Sequence, residues 1–372
     1  MYFEQGRLFN SVTYGDLTLG SERYIRAASV ILISVTVILN FFAAKYKYLP
    51  KIFLAYFLIL GFITINYLLT GPGIDDLTGL MDSKGIGPWI AFGLIFVCYD
   101  DHRYELFKKF SIIAVIVISI YVIYSLIVDG VGIYRGQSLA KYRIYATNLM
   151  WITPFVFFMS KHDKKLRFIR VFAIFMGIIT ALICVTRSFL LIYFLVLLFD
   201  FFHTKKKTIY FVGFGALGLL FVYMLLNTAS FSSSFDLLVK RGIEDSRTNQ
   251  LMGFLSQLNF VDLIVGQGFD PVYYADGRQS NMIDNQWLKL IWWAGLIPAL
   301  MYFYLTAFIP FKMFMKKGQD YETKVESFIL LIWTLACAGL AIYSTMSVDF
   351  FFFIVCIIQG RLLYKYSLRR EV

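Results

Sequence analysis

Charge is scarce in this 372-residue chain. Asp, Glu, Lys and Arg supply 16% of it, against about a quarter in an ordinary soluble domain. Proline occurs seven times, cysteine four times and histidine three times. The histidines, His102, His162 and His203, all fall among lysines in loops of one set. That excludes a histidine-based metal site or a Ser-His triad on the opposite face. Cys98, Cys184, Cys337 and Cys356 lie inside apolar runs with no CxxC pair, and read as small core hydrophobes. No signal peptide is evident, because the first apolar run begins near Tyr24 and is too long for one.

What fills the chain is apolar: 59% hydrophobic and 19% aromatic residues, with mean hydropathy +0.68. A soluble globule of this composition would expose large apolar surface. The composition therefore points to an all-α, polytopic membrane protein. It excludes cytosolic enzymes, secreted disulfide scaffolds and most nucleic-acid binders. A helix crosses a bilayer with about 20 apolar residues. Eleven runs are candidates, at roughly 25–44, 50–70, 86–99, 111–128, 146–159, 168–185, 188–202, 208–226, 286–310, 328–346 and 349–364; three of them, 86–99, 146–159 and 188–202, are short, and either extend into the flanking loops or include a re-entrant segment that would change the parity. The chain then divides into a helical region 1–226, a large external loop 227–285 and C-terminal helices with a tail, 286–372.

The net charge of +11 has a topological reading. One set of alternating loops holds 22 of the 35 Lys and Arg but only 9 of the 24 Asp and Glu. Basic loops stay in the cytoplasm, so that set and the C-terminus are placed inside and the N-terminus outside. Residues 1–24 are polar and read as a loop rather than a start.

Against this bias, Arg135, Lys141 and Arg143 crowd the external loop 129–145, where an anionic ligand would draw them. The apolar run 168–202 is too long for one span and is broken at Thr186-Arg187-Ser188, so it folds as a hairpin with Arg187 at its external tip. Segment 227–285 is far longer than an ordinary connection and is not of low complexity. Within it Asp245 or Ser246 caps a helix running to about Asn259, with Leu251, Phe254, Leu255 and Leu258 on one face. Arg247 stands on that face beside the helix N-terminus, suited either to a phosphate or to lipid headgroups. The Gly266-Gln-Gly268-Phe269 turn shapes the backbone. Arg278 follows. Asp284 and Asn285 open the next span, as caps or as site residues. Lys289, one turn on, faces a wet interior or snorkels. Trp287, Trp292 and Trp293 read as an interfacial belt. Asp75-Asp76 is too incomplete for a cation site, so no metal is expected.

These features together resemble the bacterial O-antigen and exopolysaccharide polymerases (Wzy-like) and the related O-antigen ligases. The resemblance rests on Ser246-Arg247, Gly266 to Phe269, Asp284-Asn285-x-x-Leu288 with Gly295, and Thr186-Arg187-Ser188. It implies a metal-independent, cofactor-free, inverting glycosyltransferase of the all-helical class in the inner membrane. The implied substrate is undecaprenyl-diphosphate-linked oligosaccharide, met at the external face among membrane lipids. A chain-length regulator protein is a candidate partner; nucleic acid is not. Asp284 takes the role of base, and Arg247 and Arg278 stabilise the leaving diphosphate. Arg187, Arg143, Arg135, Lys289 and Asn285 assist in binding. The ligase branch commonly has histidine where this chain has Asp284, which favours polymerase. Ligase stays the alternative and a lipid-linked oligosaccharide transporter the third reading.

Overall fold

A computed structural model describes residues 16–73, 79–80, 85–129, 149, 151–183, 187–204, 246–269, 271–275, 278–280, 285–337 and 350–368. Among them the chain is helical apart from one two-stranded hairpin. The helices are α1 (Asp16–Ala44), α2 (Pro50–Thr70), α3 (Ile86–Phe92), α4 (Asp101–Asp129), α5 (Arg167–Ile183), α6 (Arg187–Phe202), α7 (Ser246–Leu255), α8 (Phe260–Val265), α9 (Gln286–Ala294), α10 (Leu296–Met315), α11 (Tyr321–Ala336) and α12 (Phe350–Leu368). Strands β1 (Tyr273–Ala275) and β2 (Arg278–Ser280) pair antiparallel, Ala275 opposite Arg278.

Three helices among the described residues are long and apolar enough to cross a membrane: α2, Asp101–Tyr124 within α4, and α10. The expected count of eleven is larger. Run 208–226 and part of 328–346 lie outside the described residues. Run 86–99 forms only α3 and a short 3-10 turn, Gly93–Phe96. Run 286–310 is cut in two at Gly295.

The chain forms two compact units, one from 108–245, the other from 14–107 and 246–372. In the first, α5 and α6 make the expected hairpin. Arg170 pairs with Asp200, and Tyr193 packs against Gly177, where a Cβ would sit 2.3 Å from its hydroxyl. Lys161 adds a second cation 2.7 Å from the fully buried Asp200 carboxylate. Residues 161–170 thus lock one end of the hairpin.

In the second unit, Pro50 starts α2 where a missing N–H costs nothing, and the Gly71 N–H closes it on the Tyr67 carbonyl. Ile52, Ala55, Tyr56, Ile59, Ile63 and Tyr67 form its buried stripe. Leu54, Phe57, Ile65, Leu68 and Leu69 face outward. At the Pro50 end the basic segments gather. The Leu49 N–H donates to Ser367 Oγ, Lys51 to the Tyr366 hydroxyl, Arg103 to Asn40 and Arg361 to Asp101. Lys365 lies 2.9 Å from the buried Glu326 carboxylate, which also accepts the Tyr104 hydroxyl at 2.7 Å. Burial raises the Glu326 pKa; Lys365 opposes that shift. At the Thr70 end sits the loop 246–285 module. The two ends are separated by 21 helical residues, about 31 Å at 1.5 Å per residue.

Candidate functional site

The module at the Thr70 end is built from four short segments held by side-chain hydrogen bonds and a cluster of aromatic rings. Helix α7 is shorter than expected and stops at Leu255. A second helix, α8, starts after Asn259, whose side chain accepts the Asp262 N–H. The break arises because Asn259 offers the backbone a cap instead of another helical turn. Of the expected α7 face, Phe254 is buried while Leu251 and Leu255 are exposed.

The ring of Phe254 meets Tyr273 of β1 at 6.0 Å and Trp292 of α9 at 5.5 Å; Tyr273 and Trp292 meet at 5.3 Å. All three are buried, with Leu258 and Leu288 packed around them. Gln257 clamps the same corner: its Oε1 accepts the Tyr274 N–H and its Nε2 donates to the Tyr274 carbonyl. One apolar knot therefore joins the helix that begins Ser246-Arg247, the hairpin that contains Arg278 and the helix that carries Asn285 and Lys289. Position 247 stands seven residues before Phe254, about 10 Å along the α7 axis.

The Gly266–Phe269 turn attaches this knot to α2. Gly266 has φ of 84°, and a Cβ on it would lie 2.6 Å from the Trp293 carbonyl. Gln267 N–H donates to the Trp292 carbonyl, and Gly268 N–H to that of Trp293. The Phe269 N–H reaches Thr70 Oγ1 at 2.9 Å, and Asn66 Nδ2 reaches the Trp293 carbonyl at 2.6 Å. Gln267 completes a chain, accepting from Trp292 Nε1 and donating to Asp262.

These bonds explain why run 286–310 is broken. The Trp292 and Trp293 carbonyls are taken by the loop, and Gly295 reverses the backbone at φ of 89°. A Cβ there would stand 2.2 Å from the Ile264 carbonyl. Trp292 and Trp293, expected in an interfacial belt, are core residues. Their position beside a span end made the two roles alike in sequence.

Asn285 is the N-cap of α9, its side-chain oxygen accepting the Trp287 and Leu288 N–H groups at 3.0 and 3.1 Å. Lys289 is half-buried one turn on, its N–H on the Asn285 carbonyl. Asp284, Arg143 and Arg135 lie outside the described residues. For Arg247, Arg278 and Arg187 the backbone is described, in the first turn of α7, in β2 and at the start of α6. The structure thus gathers the backbones of 247, 278, 285 and 289 in one unit; Arg187 belongs to the other. Sequence reasoning missed Asn66, Thr70, Gln257 and Gln267. Two polar residues in the last turns of an otherwise apolar run were the available signal for the first pair. Among the described residues no group of three His, Cys, Asp or Glu side chains could hold a metal ion.

No family model, curated protein or solved structure matches the chain.

Proposed function

We propose that this chain is an integral membrane glycosyltransferase. It joins undecaprenyl-diphosphate-linked oligosaccharide repeat units into polymer at the external face of the bacterial inner membrane. The observation that carries the reading is the Phe254–Tyr273–Trp292 knot, which ties the segments bearing Arg247, Arg278, Asn285 and Lys289 to one end of a helix of bilayer length. The outward apolar faces of α2 and α4 support the membrane setting.

In the reaction an acceptor sugar hydroxyl attacks the anomeric carbon of the donor. The bond from that carbon to the diphosphate oxygen breaks, the electron pair leaves with undecaprenyl diphosphate, and the hydroxyl proton passes to Asp284. Negative charge grows on the leaving oxygens, which guanidinium groups hold through paired charge-assisted hydrogen bonds. Arg247 and Arg278 take that role. Lys289 and Asn285 assist in holding the diphosphate.

The test is a glycan ladder from a deletion strain complemented with Arg247→Ala or Arg278→Ala. Losing one such donor typically slows a reaction about 10²–10³-fold, so long chains should vanish at unchanged expression. Normal ladders from both variants would refute the diphosphate role. Loss of all core-attached glycan, single units included, would indicate a ligase instead.

A further inference from the structure

The short helix α8 presents an apolar edge that no described residue of its own unit covers. Phe260, Val261 and Val265 are 74%, 65% and 53% exposed. Asp262 is the single charge between 254 and 269, and its carboxylate is turned to Gln267. The far side of α8 is fixed, with the Ile264 carbonyl against Gly295 and the Gly266 N–H on the Asp262 carbonyl. The height of α8 is set by α2. Asn66 Nδ2 donates to the Val265 carbonyl at 3.3 Å as well as to that of Trp293. Asn66 stands four residues before the end of α2, about 6 Å inside it along the axis. Around Asn66, the outward residues of α2 are Ile65, Leu68 and Leu69, all more than half exposed. The C-terminal end of α8 thus lies at the level of the last turn of α2, whose outward residues are apolar as well. Helix α10 begins at the same level, directly after Gly295.

We propose that the Phe260–Val265 edge is seated in the bilayer, in the leaflet at the Thr70 end of α2, as an interfacial anchor. The occupant is lipid, because the apolar edge lies at the level of the last turn of a helix long enough to span, and because its depth fits the roughly 5–10 Å by which interfacial helices sink. The anchor holds the module at headgroup height, where the diphosphate of a lipid-linked substrate resides. This rests on the membrane-spanning reading above.

The test places a nitroxide on Phe260→Cys, Val261→Cys or Val265→Cys in a Cys184→Ser background of the full chain, reconstituted in phosphatidylcholine–phosphatidylglycerol vesicles. Cys98, Cys337 and Cys356 are buried and stay unlabelled. Leu54→Cys, on the outward face of α2, is the control. Power saturation compares collisions with oxygen, concentrated in lipid, and with a water-soluble nickel chelate. Oxygen exceeding nickel at Leu54 and at the α8 positions supports the anchor. Oxygen exceeding nickel at Leu54 with the reverse at all three α8 positions overturns the anchor and leaves the membrane reading standing. Nickel exceeding oxygen at Leu54 overturns the membrane reading and the anchor with it. The three labelled side chains are exposed, so the fold tolerates the label, and each position serves as a check on the others.

Discussion

Phe254→Ala should unfasten the loop module while leaving the helical body intact. Phe254 is 1% exposed and meets both other rings of the knot. Removing a buried phenyl costs about 3–5 kcal/mol in a packed core. At about 1.4 kcal/mol per tenfold, the lower figure shifts the local folding equilibrium by more than 100-fold. A module with one three-ring knot has little else to absorb that loss, so α7 and the β1–β2 hairpin should open locally. Hydrogen exchange reads this directly: amides of 248–255 and 273–280 should exchange faster, while those of α2 should not. The glycan ladder should shorten in parallel, because positions 247 and 278 no longer share a fixed support. Phe254→Leu keeps most of the volume and should restore much of both readouts. Fast exchange with ladders of normal length would refute the reasoning that the knot positions the arginines. Unchanged exchange would refute the knot itself.

Gly295→Ala forces a Cβ to within 2.2 Å of the Ile264 carbonyl at φ of 89°; amides of 260–269 should lose protection, and wild-type exchange there would argue against the break as described. Lys365→Met leaves the Glu326 carboxylate buried without its cation, a loss of roughly 3–5 kcal/mol; melting in detergent should drop, and adding Glu326→Gln should recover much of it. Asp320 caps α11 through the Thr323 N–H and hydroxyl, and although burial alone would raise its pKa, these bonds lower it from the ordinary value. Its contribution is therefore full above the ordinary carboxylate pKa and is lost as pH falls through the lowered one. Asp320→Ala should cost about 1 kcal/mol near neutral pH, while Asp320→Asn should keep most of the cap and lose that acid sensitivity in melts across pH 3–7.

Helix α2 was legible to the residue, because Pro50, Gly71 and an uninterrupted apolar run all mark the same bounds. The α5–α6 hairpin was legible because one run was too long for a single span. The break at Gly295 was not. Hydropathy sums side chains and says nothing of backbone carbonyls, and it is Trp292 and Trp293 carbonyls that the loop claims. The same blindness hid Asn66 and Thr70, whose partners lie about 200 residues away in sequence. The charge tally put the basic loops on one membrane face; within the second unit segments around Lys51, Arg103 and Arg361 do make contacts with one another's neighbours, yet the pairing of Lys365 with Glu326 was invisible, since charge tallies carry no geometry. At the site, the segments could be chosen from spacing, but their convergence depends on Phe254, Tyr273 and Trp292, three aromatics among many.

The two ends of the second unit are fastened by different chemistry, and the difference has a functional consequence. At the Pro50 end the cations are committed: Lys365 to Glu326 and Arg361 to Asp101. At the Thr70 end the described fastenings are mostly amides, hydroxyls, indoles and backbone groups, on Asn66, Thr70, Gln257, Gln267, Asn259 and Asn285, with one carboxylate, Asp262, accepting from Gln267. On the proposed reading, each further carboxylate beside the module would weaken the positive potential that a diphosphate needs. Neutral fastenings hold the backbone as firmly, at about 0.5–1.5 kcal/mol each, without that weakening. On the proposed reading, fastening the loop backbone mainly with uncharged groups keeps added negative charge low where an anion is to bind.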